Sequence, residues 1–345
     1  TNFHYSGRRA NSRKQSIKLC LNSQLFLEKQ MQTIEKNIDI AIQHYNSGDL
    51  SQAESMFRQL LATDPDQPVA LHMLGLIAFQ SGYGENAEAL IIKALAIDPN
   101  YTDAHANLGF LYLELSRPEE AVASFQNALT LNPNDVDLRI NQASLLRELG
   151  RLDEAEFDFR KIQKLIPHDP NALNNLGKIL FEQEKYEEAV TKLMASLQIN
   201  PDSIDTLSVL NSTYLRMGLI ESAIVILEKL IELEPQNIER FKQLGVNLYR
   251  ISRYPEALNI YRAIVKLDAV DLLAWQGIAN CLGHIPNEKL DDQVISELHF
   301  CVSNNQLSSS MLASILAFYI LDQSGLYGLS RAEISKRDWK YLRTN

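Results

Sequence analysis

Cysteine is scarce in this chain of 345 residues: Cys20, Cys281 and Cys301, with no CxxC spacing and no histidine-rich neighbourhood. An odd count without that spacing excludes a disulfide frame and a zinc site as the basis of the fold. It is what reduced thiols in a reducing compartment look like, and it places the chain in the cytoplasm. No apolar run reaches the ~18–20 residues that a membrane helix needs, so membrane insertion is not expected. Glycine-rich phosphate loops are missing. Six of the seven histidines, His44, His72, His105, His168, His284 and His299, are scattered along the period and beyond it, with no Ser, Cys or carboxylate in a recognisable catalytic order. No catalytic residue, cofactor or metal is therefore expected. Positive charge is short as well: 33 Lys and Arg stand against 43 Asp and Glu, the formal charge is -10 and the pI is near 5.3. A nucleic-acid partner is not expected, because a phosphate-binding surface needs a basic stripe. Only residues 1–27 reverse that balance, with Arg8, Arg9, Arg13, Lys14, Lys18 and no acid.

What the chain has is a period. At a step of 34 residues the small side chains Ala53, Ala87, Ala121, Ala155, Ala189, Ala223 and Ala257 recur. Four places later come Phe57, Ile91, Phe125, Phe159, Leu193, Leu227 and Tyr261. Prolines close six copies, at Pro65, Pro99, Pro133, Pro167, Pro201 and Pro235, and Ala269 stands in the seventh. A Leu-Gly pair such as Leu108-Gly109 or Leu176-Gly177 lets two helices approach closely. Gly48, Gly82, Gly150 and Gly218 fall at one phase, suited to the left-handed residue that ends a helix. The Asp-Pro and Asn-Pro pairs then stop the second helix of each unit.

The unit at 102–135, with Leu108, Gly109, Tyr112, Ala121, Phe125, Ala128 and Pro133, resembles the tetratricopeptide repeat. That resemblance implies an all-α, right-handed superhelical solenoid of helix-turn-helix repeats, stabilised by the stacking of neighbours and closed by C-terminal capping helices. The expected organisation is a flexible basic arm at 1–22, an N-terminal helix at 23–33, and a solenoid at 34–283 of seven repeats plus a degenerate half-repeat. Capping or junction helices follow at 284–345, over 288–303, 308–323 and 330–343. The half-repeat keeps Trp275, Ile278, Ala279 and Leu282 of the first-helix pattern. His105 holds the slot where the family often has Trp, which is read as packing.

Carrying the family's inward-facing positions onto this chain gives a groove with Asn107, Asn141 and Asn175 at one position of three successive repeats. Gln243 follows two repeats on, and Met73 and Val209 interrupt the series. This is similar to the asparagine ladder in the repeat region of O-linked N-acetylglucosamine transferases, where side-chain amides hold a peptide backbone. An amide can do so because it both donates and accepts. Asp103, Asp137, Asp205 and Glu239 line one wall, where first-turn acids also suit the helix dipole. Leu76, Phe79, Phe110 and Leu113 form an apolar cluster able to hold an anchor residue or the N-terminal helix folded back. Lys178, Lys242 and Arg216 lie in the groove without the arrangement of a carboxylate clamp.

Two functions follow as expectations. The first is a non-enzymatic scaffold that binds a protein or extended peptide segment in the groove. The second, resting on a looser likeness of the C-terminal passage to bacterial multidomain transferases, is the substrate-recruiting arm of a larger methyltransferase, sulfotransferase or glycosyltransferase. A first residue Thr1 and an end at KYLRTN suit that second reading.

Overall fold

The computed structural model describes residues 32–282 and 284, and fifteen helices and no strand occur among them. The basic arm at 1–22, the N-terminal helix up to residue 31 and the helices expected at 288–303, 308–323 and 330–343 lie outside the described residues. The chain forms two compact units, one up to Leu165 and one from Ile166. In the first, α1 (residues 32–46) and α2 (Leu50–Thr63) are followed by α3 (Pro68–Gln80), α4 (Gly84–Ile97), α5 (Thr102–Glu114), α6 (Pro118–Leu131), α7 (Val136–Glu148) and α8 (Leu152–Leu165). In the second come α9 (Pro170–Glu182), α10 (Tyr186–Ile199), α11 (Ile204–Arg216), α12 (Ile220–Leu233), α13 (Ile238–Arg250), α14 (Tyr254–Leu267) and α15 (Leu272–Leu282).

Within each unit the packing repeats. A first helix lies on its own second helix, as α5 on α6 and α9 on α10, and the second helix lies on the next first helix, as α6 on α7 and α10 on α11. First helices also touch each other, α3 with α5, α9 with α11 and α13 with α15. They form one layer and the second helices another. The all-α repeat architecture expected from the period is the one observed.

The residues of the period explain why. All seven recurring alanines are 0% exposed, and the large residues four places on are buried from 0% to 4%. Each such large side chain contributes about 1.5–3 kcal/mol relative to staying in water, and Ala opposite lets it reach the helix crossing. Between paired helices the chain reverses through a residue with positive φ: Gly48 (83°), Gly82 (82°), Gly150 (73°) and Gly218 (74°). The same phase holds Ser116 (57°), Glu184 (61°) and Ser252 (63°), where a side chain is carried in a conformation that favours glycine. Helix starts are set locally. Pro stands in the first turn of α3, α6, α9 and α14, and Asp135 and Asp169 cap α7 and α9 by accepting from Leu138 N and Ala172 N at 3.0 and 2.6 Å.

One repeat position does more than pack. His105, Arg139 and Trp275 occupy it in three repeats, and each reaches the carbonyl six residues earlier: Pro99 O at 2.9 Å, Pro133 O at 2.6 Å and Ala269 O at 2.9 Å. A carbonyl only accepts, so His105 Nε2 carries its proton. Three unlike side chains share one task, tying the inter-repeat turn to the next first helix. Ala269 supplies the same acceptor as the prolines it replaces.

Candidate functional site

The layer of first helices is where the expected groove residues fall, and the two units treat them differently. In the first unit Asn107, on α5, is half-buried and already engaged: its Nδ2 donates to His72 Nε2 at 3.0 Å, while His72 Nδ1 lies 3.0 Å from Tyr101 Oη. Accepting at Nε2 leaves the imidazole neutral with its proton on Nδ1. Burial pushes the His72 pKa down to about 4, partly offset by the Asp103 carboxylate, and the same burial raises Tyr101 to about 12, helped by Asp103 and Asp98. Asn141, on α7, is exposed and makes no side-chain hydrogen bond among the described residues. Asp103 and Asp137 are exposed in the first turns of α5 and α7. Leu76 and Phe79 on α3 and Leu113 on α5 are half-buried, and Phe110 is 38% exposed with its ring edge-on to Phe125 at 5.0 Å.

In the second unit Asn175, on α9, is half-buried and has no side-chain partner among the described residues. Gln243, on α13, is half-buried with an unpartnered Oε1. Asp205 and Lys178, both expected in the groove, bind each other at 2.6 Å across α9 and α11, and Asn174 Nδ2 donates to the same carboxylate oxygen at 2.5 Å. Lys242 pairs with Asp271 at 2.6 Å, which holds the Asp271 carboxyl below the usual range despite its burial. Glu239 is exposed in the first turn of α13.

Several polar features carry no signal in the repeat spacing. Arg139 and Asp158 form a buried ion pair at 2.8 Å between α7 and α8, with side chains 4% and 5% exposed. Burial raises the Asp158 carboxyl and Arg139 draws it back. Asn211 stands where earlier repeats have Gly109, Ala143 and Gly177. It is 3% exposed, and its Oδ1 has no partner. A cavity of about 780 Å³ lies among α2, α3 and α4, lined by Arg58, Leu61, Leu74, Ile77 and Leu90, and holds none of the expected groove residues. No grouping of three His, Cys, Asp or Glu able to hold a metal occurs among the described residues, and none of their helices is long and apolar enough to cross a membrane. The thiol of Cys281 is buried and its pKa is raised by that burial to about 11.

Family models of the tetratricopeptide repeat match residues 44–108, 102–135 and 124–157, and a model of anaphase-promoting complex, cyclosome, subunit 3 matches residues 148–230. No curated protein sequence matches the chain. Among solved structures, one chain of Naa15/Naa10 bound to HypK-THB superposes with a TM-score of 0.61 at 19% identity, over 83% of this chain and 44% of that one. The C-terminal part of a TPR repeat-containing protein from Cytophaga hutchinsonii gives 0.58 at 16%, over 70% and 99%. YrrB, described as a TPR protein with an unusual peptide-binding site, gives 0.44 at 26%, over 50% and 89%. The first two share the fold of this chain.

Proposed function

Because this chain is a tetratricopeptide repeat protein, we propose that it is a non-enzymatic scaffold in the cytoplasm, whose repeats over 34–283 hold an extended peptide or protein segment against their first helices. The observation that carries this reading is the presence of free amides on that layer: Asn141 is exposed and unpartnered, and Asn175 is half-buried and unpartnered. An amide with both donor and acceptor unused can pair with a peptide unit whatever side chain it bears. Asn107 is different, since its Nδ2 already serves His72.

Peptide capture by the full chain tests the reading, comparing the natural sequence with Asn141→Ala/Asn175→Ala. Loss of capture with an unchanged helical circular dichroism spectrum supports it. Undiminished capture overturns the role of the amides. Asn107→Ala belongs in a separate variant, because it removes the hydrogen-bond partner of a buried histidine and so disturbs the fold itself.

A further inference from the structure

The first helices of the first unit carry six exposed carboxylates, Glu35, Asp39, Asp103, Glu114, Asp137 and Glu148. None of them forms an ion pair among the described residues. The second helices of the same unit show the opposite pattern. Glu54 meets Arg58 at 2.7 Å, Glu88 meets Arg117 at 2.7 Å, Glu119 and Glu154 share Arg151 at 2.8 and 2.7 Å, and Glu156 meets Arg160 at 2.6 Å. Apart from the exposed Glu85 on α4, the second-helix layer neutralises its acids, and the first-helix layer leaves them open.

Helix stability accounts for only part of this. Asp103 and Asp137 sit in the first turns of α5 and α7, where the dipole favours them. Glu114 and Glu148 are the last residues of α5 and α7, where the dipole opposes an acid by about 0.3–1 kcal/mol. In the second unit α9 also ends on an acid, Glu182, whereas the last residues of α11 and α13 are Arg216 and Arg250, the sign the dipole prefers. Two acids are thus held where the fold itself disfavours them. Between the two acidic rims run the half-buried Leu76, Phe79 and Leu113 and the exposed Phe110. Of the cations on these four helices Arg139 is buried against Asp158, leaving Lys36 and Arg147 at the surface. His72 is neutral.

We propose that the first-helix layer of the first unit binds a segment of another protein that carries Lys or Arg on both sides of a bulky apolar residue. This rests on the peptide-holding reading above and names the ligand class for one of the two units. The apolar residue would cover Phe110 and its neighbours, and the cations would meet the two rims. Eleven helical positions separate the rims, about 16 Å at 1.5 Å per residue, which an extended segment spans in about five residues. A phosphate-rich or acidic partner is repelled by the same charges.

The test presents a library of short random peptides to the full chain at low salt. Enrichment of Lys and Arg around Leu, Ile, Phe or Trp is expected. A synthetic copy of a selected peptide should lose affinity about tenfold, mainly by slower association and with a weaker salt dependence, against Asp103→Asn/Glu114→Gln/Asp137→Asn/Glu148→Gln. Selection of neutral or acidic peptides overturns this proposal and leaves the general scaffold reading standing. Selection of nothing overturns both. Basic peptides selected only when Arg8, Arg9, Arg13, Lys14 and Lys18 are changed to Gln would assign the layer to the chain's own N-terminal segment, and so overturn a partner in trans.

Discussion

The two units are built from the same repeat and dispose of their charges in opposite ways. In the first, the first-helix acids stand open and the cation Arg139 is sunk against Asp158. In the second, the first helices carry more cations than acids, and Lys178, Arg240 and Lys242 are tied to Asp205, Glu234 and Asp271. The repeat constrains the small and large apolar positions that build the layers. It leaves the outward positions free to diverge, so two units built from one repeat can offer chemically distinct faces.

The largest expected effect separates a buried pair from an exposed one. Asp158→Ala should cost the first unit about 3–5 kcal/mol, because it leaves Arg139 charged and buried. Asp205→Ala should cost the second unit less, about 1–2 kcal/mol, since Lys178 can turn to water and only the buried Asn174 Nδ2 loses its acceptor. Hydrogen-exchange protection of α7 and α8 against α9 and α11 reads both. Equal losses would erase the contrast.

Acid sharpens the comparison next. The pKa of His72 is about 4 in the folded chain and 6.5 by its ordinary value, so between these pH values the unfolded state binds more protons. Its contribution is complete above about pH 6.5 and is lost as the pH falls to about 4, by roughly 3 kcal/mol. In the second unit His168 and His284 are exposed. Protection of α3 should therefore fall before that of α11, and His72→Gln should flatten the difference.

A smaller effect concerns the orphaned amide of the second unit. Asn211→Ala should raise stability by about 1 kcal/mol by removing a buried acceptor without a partner. Ala143 shows that the equivalent position of the first unit accommodates a methyl group, 0% exposed. A lower urea midpoint for Asn211→Ala would mean that Asn211 is held by something other than its packing. Smallest of all, Glu184→Gly should gain a few tenths of a kcal/mol. Relief of a left-handed residue, about 1–2 kcal/mol, is mostly offset by the greater entropy of an unfolded glycine. Gly150→Ala, at the same phase in the first unit, should lose about 1 kcal/mol by the same reasoning. Urea midpoints of the two variants should move in opposite directions.

Most of the scaffold was legible before any coordinate. The alanines and their partners four residues on announced the helix crossings, and Gly48, Gly82, Gly150 and Gly218 announced the turns. The left-handed Ser116, Glu184 and Ser252 were not legible, because at those steps the geometry is imposed by the flanking helices and not by the residue. The groove reading placed Asn107, Asn141 and Asn175 alike. The structure separates them, since only Asn107 has a histidine one repeat back, at His72, to serve. Arg139 and Asp158 were invisible as a pair because nineteen residues part them and neither recurs at the period.

What the amino-acid order decided by itself was the repeating frame: helix, turn, helix, and the apolar side chains that face inward. Those depend on spacing along one strand of chain, which is written in the residues. Which polar side chains remain open to a ligand was decided by tertiary structure alone. An acid becomes free or neutralised according to the cation that a neighbouring helix brings within about 3 Å, and that meeting is a property of the packed helices.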